Sequence, residues 1–470
     1  MSEVNLRVKN AKVVTPNGTI HGGVAVQDGQ IVEVTASGSL PSAVKTIDAD
    51  GQYIIPGFIC VHNHIGPVHP EREYQDFYKE SMLTETRACV HGGVTTIVPF
   101  LEQPDPIIPD LEFFIETGES QSFIDFSFHA MMFGEQHFNE IEQLAEKGIR
   151  SFKVFFNQYK NSAPELGVNH VNAGQLYKIL KKTSSIPGAV VMVHAENDDL
   201  GPIKEEEIQD EGRDSLQAWA DSSPPIRQAM QIEQIGMLTE HTGATSYVVH
   251  NSMDAAVDAL ERYKQRGVKI YGETLPNFLA NHCEDESLGT WGKISPPIGY
   301  KKDQEALWKG LRSGALQHVA TDHAPFPFES KGPRDSGVWE APPGDQGLQT
   351  FLPLMLSEGV NKDRITMEQM VEVCSTNNAK RFGLYPRKGA IIEGADADLV
   401  LVDLDREITV NEEWLQGGEQ RWTSSFGRTL TGGPTHIIQN GELAVEYDNL
   451  LVDPGGSSFL PRHGEGVTLG

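Results

Sequence analysis

Cysteine is scarce in this chain: Cys60, Cys89, Cys283 and Cys374 are the only four in 470 residues. Their scatter fits neither a disulfide framework nor a thiolate metal cluster, so a reduced, cytoplasmic setting is expected. Long apolar runs are also missing. No stretch approaches the roughly 18 apolar residues of a membrane span, and the opening MSEVNLRVKN has no signal-peptide core. Basic residues are outnumbered, 38 Lys and Arg against 66 Asp and Glu, giving a formal net charge of -28. That charge repels a polyanion, so neither nucleic acid nor a membrane is expected as a partner.

What is present is globular in composition, with 39% hydrophobic and 22% charged residues. The length allows two or three domains, or one large α/β barrel with an accessory piece. Both ends read as short strands. Period-2 alternation is broken by Asn17-Gly18 and Asp28-Gly29 near the start and by Asn440-Gly441 near the end, a hairpin signature. Residues 1–58 and 386–470 are therefore expected to build one small β-sandwich domain. The glycine-rich stretch after 455 reads as a mobile tail.

Residues 59–385 alternate differently. Buried-type strands are expected at 54–61, 94–100, 124–130, 149–155, 189–194, 245–250, 268–273 and 316–322. Helical spacing appears at 139–147, 173–182, 226–241, 253–266 and 303–312. Eight strands alternating with helices match a TIM-like (β/α)8 barrel. An open doubly wound sheet would call for a glycine-rich nucleotide fingerprint after the first strand, and none is there.

The chemistry-bearing residues cluster at the strand ends. His62 and His64 close the first strand, Lys153 sits in the fourth, His194 ends the fifth, His250 the sixth, and Asp322 the eighth. An isolated HxH pair among 16 histidines carries little weight. In a barrel, however, the C-terminal strand ends converge on one mouth, where catalytic groups sit. Neutral imidazole is a common metal ligand. Lys153, flanked by Phe152 and Phe155, would lose hydration on burial and tend to neutralise into a nucleophilic amine. Addition of carbon dioxide would turn it into a carbamate with two ligating oxygens.

The motifs PGFICVHNH (56–64), SFKVF (151–155), VHAEN (193–197), VVHNS (248–252), GETLP (272–276), SPPI (295–298), ATDHAPF (320–326) and KGAIIEGADADLVLVD (388–403) occur in order along the chain. Together they resemble the amidohydrolase superfamily, in its branch of hydantoinases, dihydropyrimidinases, allantoinases and dihydroorotases. The resemblance implies a hydrolase that opens a cyclic amide by attack of a metal-bridging hydroxide. It implies two divalent metal ions, zinc first and manganese second, with Lys153 carbamylated. His62 and His64 would hold the more buried ion, His194 and His250 the other, and the carbamate both. Asp322 would be a ligand and the proton carrier. The expected partner is a small cyclic amide, and the protein is expected to form a homo-oligomer, a dimer or a homotetramer.

Several positions depart from the branch. Cys60 stands where aspartate is common, on the same strand face as His62. The tyrosine that assists the oxyanion usually lies five residues after the lysine; here that slot is Gln158, and Tyr159 follows, so Tyr159 is taken as a catalytic and substrate-binding residue. Ser295 resembles the serine whose backbone holds the substrate amide, but the arginine usual soon after it is missing, with Gly299 nearby. Pro343 replaces a usual asparagine. Dihydroorotases clamp a carboxylate with arginine two residues beyond the HxH pair; here that residue is Gly66, with only His69 nearby. A neutral ring is therefore expected. Alternatives within the branch are an allantoinase-like or cyclic imide hydrolase and, in another class, a non-catalytic oligomeric scaffold homologue.

Overall fold

In a computed structural model, residues 3–36, 40–66, 73–157, 170–326, 328–418 and 421–464 are described. The first turns in the sequence fold as hairpins. Strands β1 (Val4–Thr15), β2 (Gly18–Gln27) and β3 (Gln30–Ala36) pair antiparallel in succession. Asp28 and Gly29 adopt φ of 50° and 79°, the left-handed pair that a two-residue turn needs to match strand twist. β4 (Ala43–Asp48) and β5 (Tyr53–Pro56) both run parallel to β1.

From Phe58 the strands become short, parallel and separated by helices. They are β6 (Phe58–Cys60), β7 (Val94–Ile97), β8 (Phe100–Leu101), β9 (Asp125–Phe126), β10 (His129–Met131), β11 (Ser151–Phe156), β12 (Val190–Ala195), β13 (Ser246–Val248), β14 (Ile270–Thr274) and β15 (His318–Val319). β7 with β8 form the second barrel strand, interrupted at Val98-Pro99, where proline brings no N–H to the ladder. β9 with β10 form the third. Pairing runs β6-β7-β9 and β8-β10-β11-β12-β13-β14-β15. The ring closes where Asp322 N donates to His62 O at 3.0 Å and His64 N to His323 O at 2.8 Å. This is the (β/α)8 barrel. All six residues of β12 are buried, as expected of a strand covered on both faces.

The helices follow their sequence signals. Ala173–Thr183 starts with a reciprocal Asn172–Gln175 capping box, buries Leu176, Ile179 and Leu180, and ends with Lys181 and Lys182 against the helix dipole. Pro225–Thr242 opens on proline and stops at Gly243 in the left-handed region. Helix Tyr74–Gly92 was not legible from periodicity, because its buried face mixes Ser81, Glu85 and Thr86 with Phe77, Tyr78 and Met82. Among the described residues no helix is long and apolar enough to cross a membrane.

After the barrel, β16 (Leu399–Thr409), β17 (Thr429–Gln439), β18 (Glu442–Glu446) and β19 (Asn449–Leu450) return to the first sheet through β16 pairing with β5. The resulting nine-stranded sheet, β19-β18-β17-β16-β5-β1-β2-β3 with β4 on β1, unites both chain ends. Leu6, Val8, Val24, Ile54, Leu399 and Ile438 form a hydrophobic cluster separate from the barrel's. The Lys388 ammonium joins the two parts: it lies 2.6 Å from Asp125 on β9, 2.6 Å from Asp398 and 3.0 Å from Asp396, all buried.

The expectation of a mobile tail needs correction for the described residues 455–464; residues 465–470 lie outside the described residues. Phe459 stacks on Phe128 at 5.4 Å, Leu460 N donates to Phe126 O, and Arg462 is buried beneath the third barrel strand. The aromatic ring and the arginine anchor a segment whose glycines alone would not.

Candidate metal centre and active site

His62 and His64 lie just past β6, two residues apart, with ring centroids 5.7 Å from each other. Both rings rest on Phe100 of the second strand, at 5.2 and 5.1 Å. The Lys153 ammonium lies over the same ring at 4.9 Å and 3.5 Å from His62 Nε2. Lys153 is third in β11 rather than at its end, and only 1% exposed. His194 and His250 arrive from β12 and the end of β13 and meet edge to face at 4.3 Å; His250 is 5.3 Å from His62. Asp322, past β15, completes the ring. Its Oδ1 is 2.8 Å from His62 Nε2 and 3.2 Å from His64 Nε2. The six residues predicted as ligands thus converge on one mouth.

His250 and Asp322 adopt φ of 39° and 50°. Side chains with a Cβ pay for that left-handed conformation, and such outliers gather where a group must be aimed rather than merely packed. Here each lies just past the end of a strand and directs its side chain at the cluster.

Electrostatics favours ligation. Burial drives Lys153 down to about 8, against the pull of Asp322, Glu273 and Glu102. Burial likewise lowers His194 and His250, keeping the neutral imidazole that binds metal. For Asp322 burial works upward, yet His62 and His64 hold it well below the carboxylate range. Burial also opposes protonation of His64, but Glu102 and Asp322 raise it to about 9. The His64 ring thus sits between two carboxylates, and a proton and a divalent cation compete for its Nε2.

Sequence reasoning missed the residues that hold the histidines. Glu273, near the end of the seventh strand, places Oε1 2.6 Å from His62 Nδ1 and 3.0 Å from His250 N, and its Oε2 accepts from Tyr247 at 2.8 Å. Glu102, after the second strand, bonds His64 Nδ1. Glu196 Oε2 sits 2.9 Å from His194 Nε2. The available signal was an acidic residue at the end of a buried strand, or two residues beyond a histidine. Cys60 does not support the His62 ring; its sulfur faces Thr321 Oγ1 at 3.2 Å and His62 O at 3.4 Å. Ser295 Oγ donates to Glu196 Oε2 at 3.0 Å, which links that loop to His194. Gln158, Tyr159 and His69 lie outside the described residues.

The donor set suits a metal. His62 Nε2, His64 Nε2 and an Asp322 oxygen have ligand atoms mutually within 4.8 Å. The opposite ring nitrogens of both histidines are held by carboxylates, an arrangement that fixes tautomer and direction in metal-binding imidazoles. Residues 53–442 match the model of the amidohydrolase family. The chain belongs to the amidohydrolase family. Members of this family are metal-dependent, and the His–His–Asp group is where this amidohydrolase can hold an ion.

Among similar proteins, a D-hydantoinase from Ralstonia pickettii is 31% identical over 468 residues, covering 98% of this chain and 99% of its own. An allantoinase from Deinococcus radiodurans is 30% identical, covering 96% and 99%. A solved L-hydantoinase (dihydropyrimidinase) from Arthrobacter aurescens superimposes with a TM-score of 0.90 at 27% identity, covering 98% and 100%.

Proposed function

We propose that this amidohydrolase opens a neutral cyclic amide, of the hydantoin or dihydropyrimidine kind, by metal-assisted hydrolysis of its ring C–N bond. The observation that carries this reading is the convergence of His62, His64, Lys153, His194, His250 and Asp322 at the C-terminal mouth of the barrel. The hydantoinase relatives match essentially end to end. An allantoinase-like activity is the second reading, supported by relatives of comparable identity.

In this proposal His62 and His64 would hold one divalent ion and His194 and His250 a second, with Lys153, as its carbamate, serving both. Imidazole and carboxylate-type oxygen favour zinc, then manganese. When bound, such ions supply a nucleophile at neutral pH and polarise the ring carbonyl. Asp322 accepts a proton from the attacking water and returns it to the departing ring nitrogen. Glu196 fixes the Ser295 hydroxyl and so steadies the loop whose backbone would receive the substrate amide. Tyr159 is assigned to the oxyanion.

A reducing, cytoplasmic setting suits four free, buried thiols. Self-association into a dimer or tetramer is supported by Ile226, Met230 and Met237, exposed at one-face spacing on helix Pro225–Thr242. Sedimentation velocity measures it.

The deciding experiment is a hydrolysis screen of the metal-loaded protein on hydantoin, dihydrouracil, allantoin and succinimide. Ring opening of one of the first two, lost on chelation and restored by zinc or manganese, is the expected result. Activity on allantoin alone selects the second reading, and no opening of any ring by metal-loaded protein rejects both.

A further inference from the structure

At the other end of the barrel, below the starts of β12, β13 and β14, lies a cavity of about 190 Å³. Its rim includes the exposed Ser184, Gly243 and Lys269, and its floor the buried Tyr271 and Arg381. Arg381 ends the helix Asn377–Arg381, is 5% exposed, and lays its guanidinium on the Tyr271 ring with Cζ 3.4 Å from the centroid. Its Nε and Nη2 have no hydrogen-bond partner among the described residues. Burial works against its charge; Tyr271, by its charge and by a side-chain hydrogen bond, and then Tyr247 work the other way, with no carboxylate contributing.

Two of the protein's other buried cations are met by carboxylates instead. Lys388 meets three aspartates, and Arg227 faces Glu196 and Asp198. Arginine keeps its proton in proteins, so two idle donors inside the fold are costly unless something fills them. Nε–H and Nη2–H lie on one edge of the guanidinium and point in parallel, the geometry that grips two oxygens of a carboxylate or phosphate. The cavity is smaller than the ~300–1,000 Å³ typical of cofactor sites, which leaves room for a small anion and not for a nucleotide.

We propose that this cavity is a binding site for a small oxyanion, held by the Nε–Nη2 edge of Arg381 on the floor and by Lys269 at the rim. It is separate from the histidine cluster, which occupies the opposite barrel end. A small carboxylate and inorganic phosphate share the required chemistry.

The test uses the full-length, metal-loaded protein and isothermal titration with inorganic phosphate and, separately, acetate. Wild type is expected to bind at least one of them; phosphate alone or acetate alone assigns the natural class. Arg381→Leu should weaken that binding by at least about tenfold, as expected for losing charge-assisted hydrogen bonds. Lys269→Ala, at an exposed position that does not threaten folding, should weaken it less. Crystals soaked in selenate should show an anomalous peak beside Arg381. No binding by wild type, affinity unchanged in both variants, or a selenate peak confined to the histidine end would each overturn the proposal.

Discussion

Glu273 Oε1 lies 2.6 Å from His62 Nδ1, a contact that ties the seventh barrel strand to the end of the first. The same oxygen accepts the His250 backbone N–H, and the second oxygen is fixed by Tyr247. One carboxylate thus orients two candidate ligands. Glu273→Gln keeps the shape and loses the charge, and should lower metal affinity by about 10- to 100-fold. Competition with a chromophoric chelator measures this; unchanged affinity would show that His62 needs no such support.

Lys153→Ala should lose most bound metal and activity while the circular dichroism spectrum is kept, since the residue removed is a lone lysine among Phe100, Phe155 and His62. Short carboxylic acids should restore part of the turnover by replacing the carbamate oxygens. Full activity and full metal content in this variant are incompatible with a bridging Lys153.

Asp322→Asn should mainly depress kcat, on the order of 10²–10⁴-fold, the usual contribution of a general acid–base group. Steady-state kinetics decide it. An effect confined to KM means that Asp322 positions substrate and carries no proton.

Dihydroorotate should be a poor substrate, by about 10- to 100-fold or more in kcat/KM against an uncharged dihydropyrimidine, because a carboxylate would be desolvated without a guanidinium partner. Gly66 cannot be converted into that partner. Its φ is +65°, and a Cβ there would sit 2.6 Å from Tyr78 Cα and 2.7 Å from Tyr78 N, both backbone atoms. Equal turnover of the two rings would show that another cation supplies the clamp.

Lys388→Met should destabilise the protein by roughly 3–5 kcal/mol, since it strands the carboxylates of Asp125, Asp396 and Asp398 in the interior. Urea unfolding gives the value. A loss below about 1 kcal/mol would mean that water reaches this network.

The barrel and the meeting of His62, His64, Lys153, His194, His250 and Asp322 at its mouth were legible because each signal is local. An apolar strand ending in histidine or aspartate can be read within a few residues, and parallel βα topology then dictates that such ends share a mouth. The hairpins at both termini were legible for the same reason, as Asp28-Gly29 and Asn440-Gly441 announce their backbone conformation without help from the rest of the chain. Helix Tyr74–Gly92 was not, because Glu85 on its buried face is satisfied by His323 at 3.0 Å, far away in sequence.

By itself, then, the amino-acid order determined the strand pattern, the identities at the strand ends and the neutral residue at position 66. Only the tertiary structure decided what surrounds them: Glu273 against His62 across 211 positions, Lys388 among three aspartates, Phe459 and Arg462 packed beneath the barrel, and Arg381 with two donors unpaired among the described residues. Partners of that kind are chosen by which side chains the closed barrel brings within a few ångströms, and desolvation inside it sets the protonation states. Neither is encoded in any short stretch of sequence.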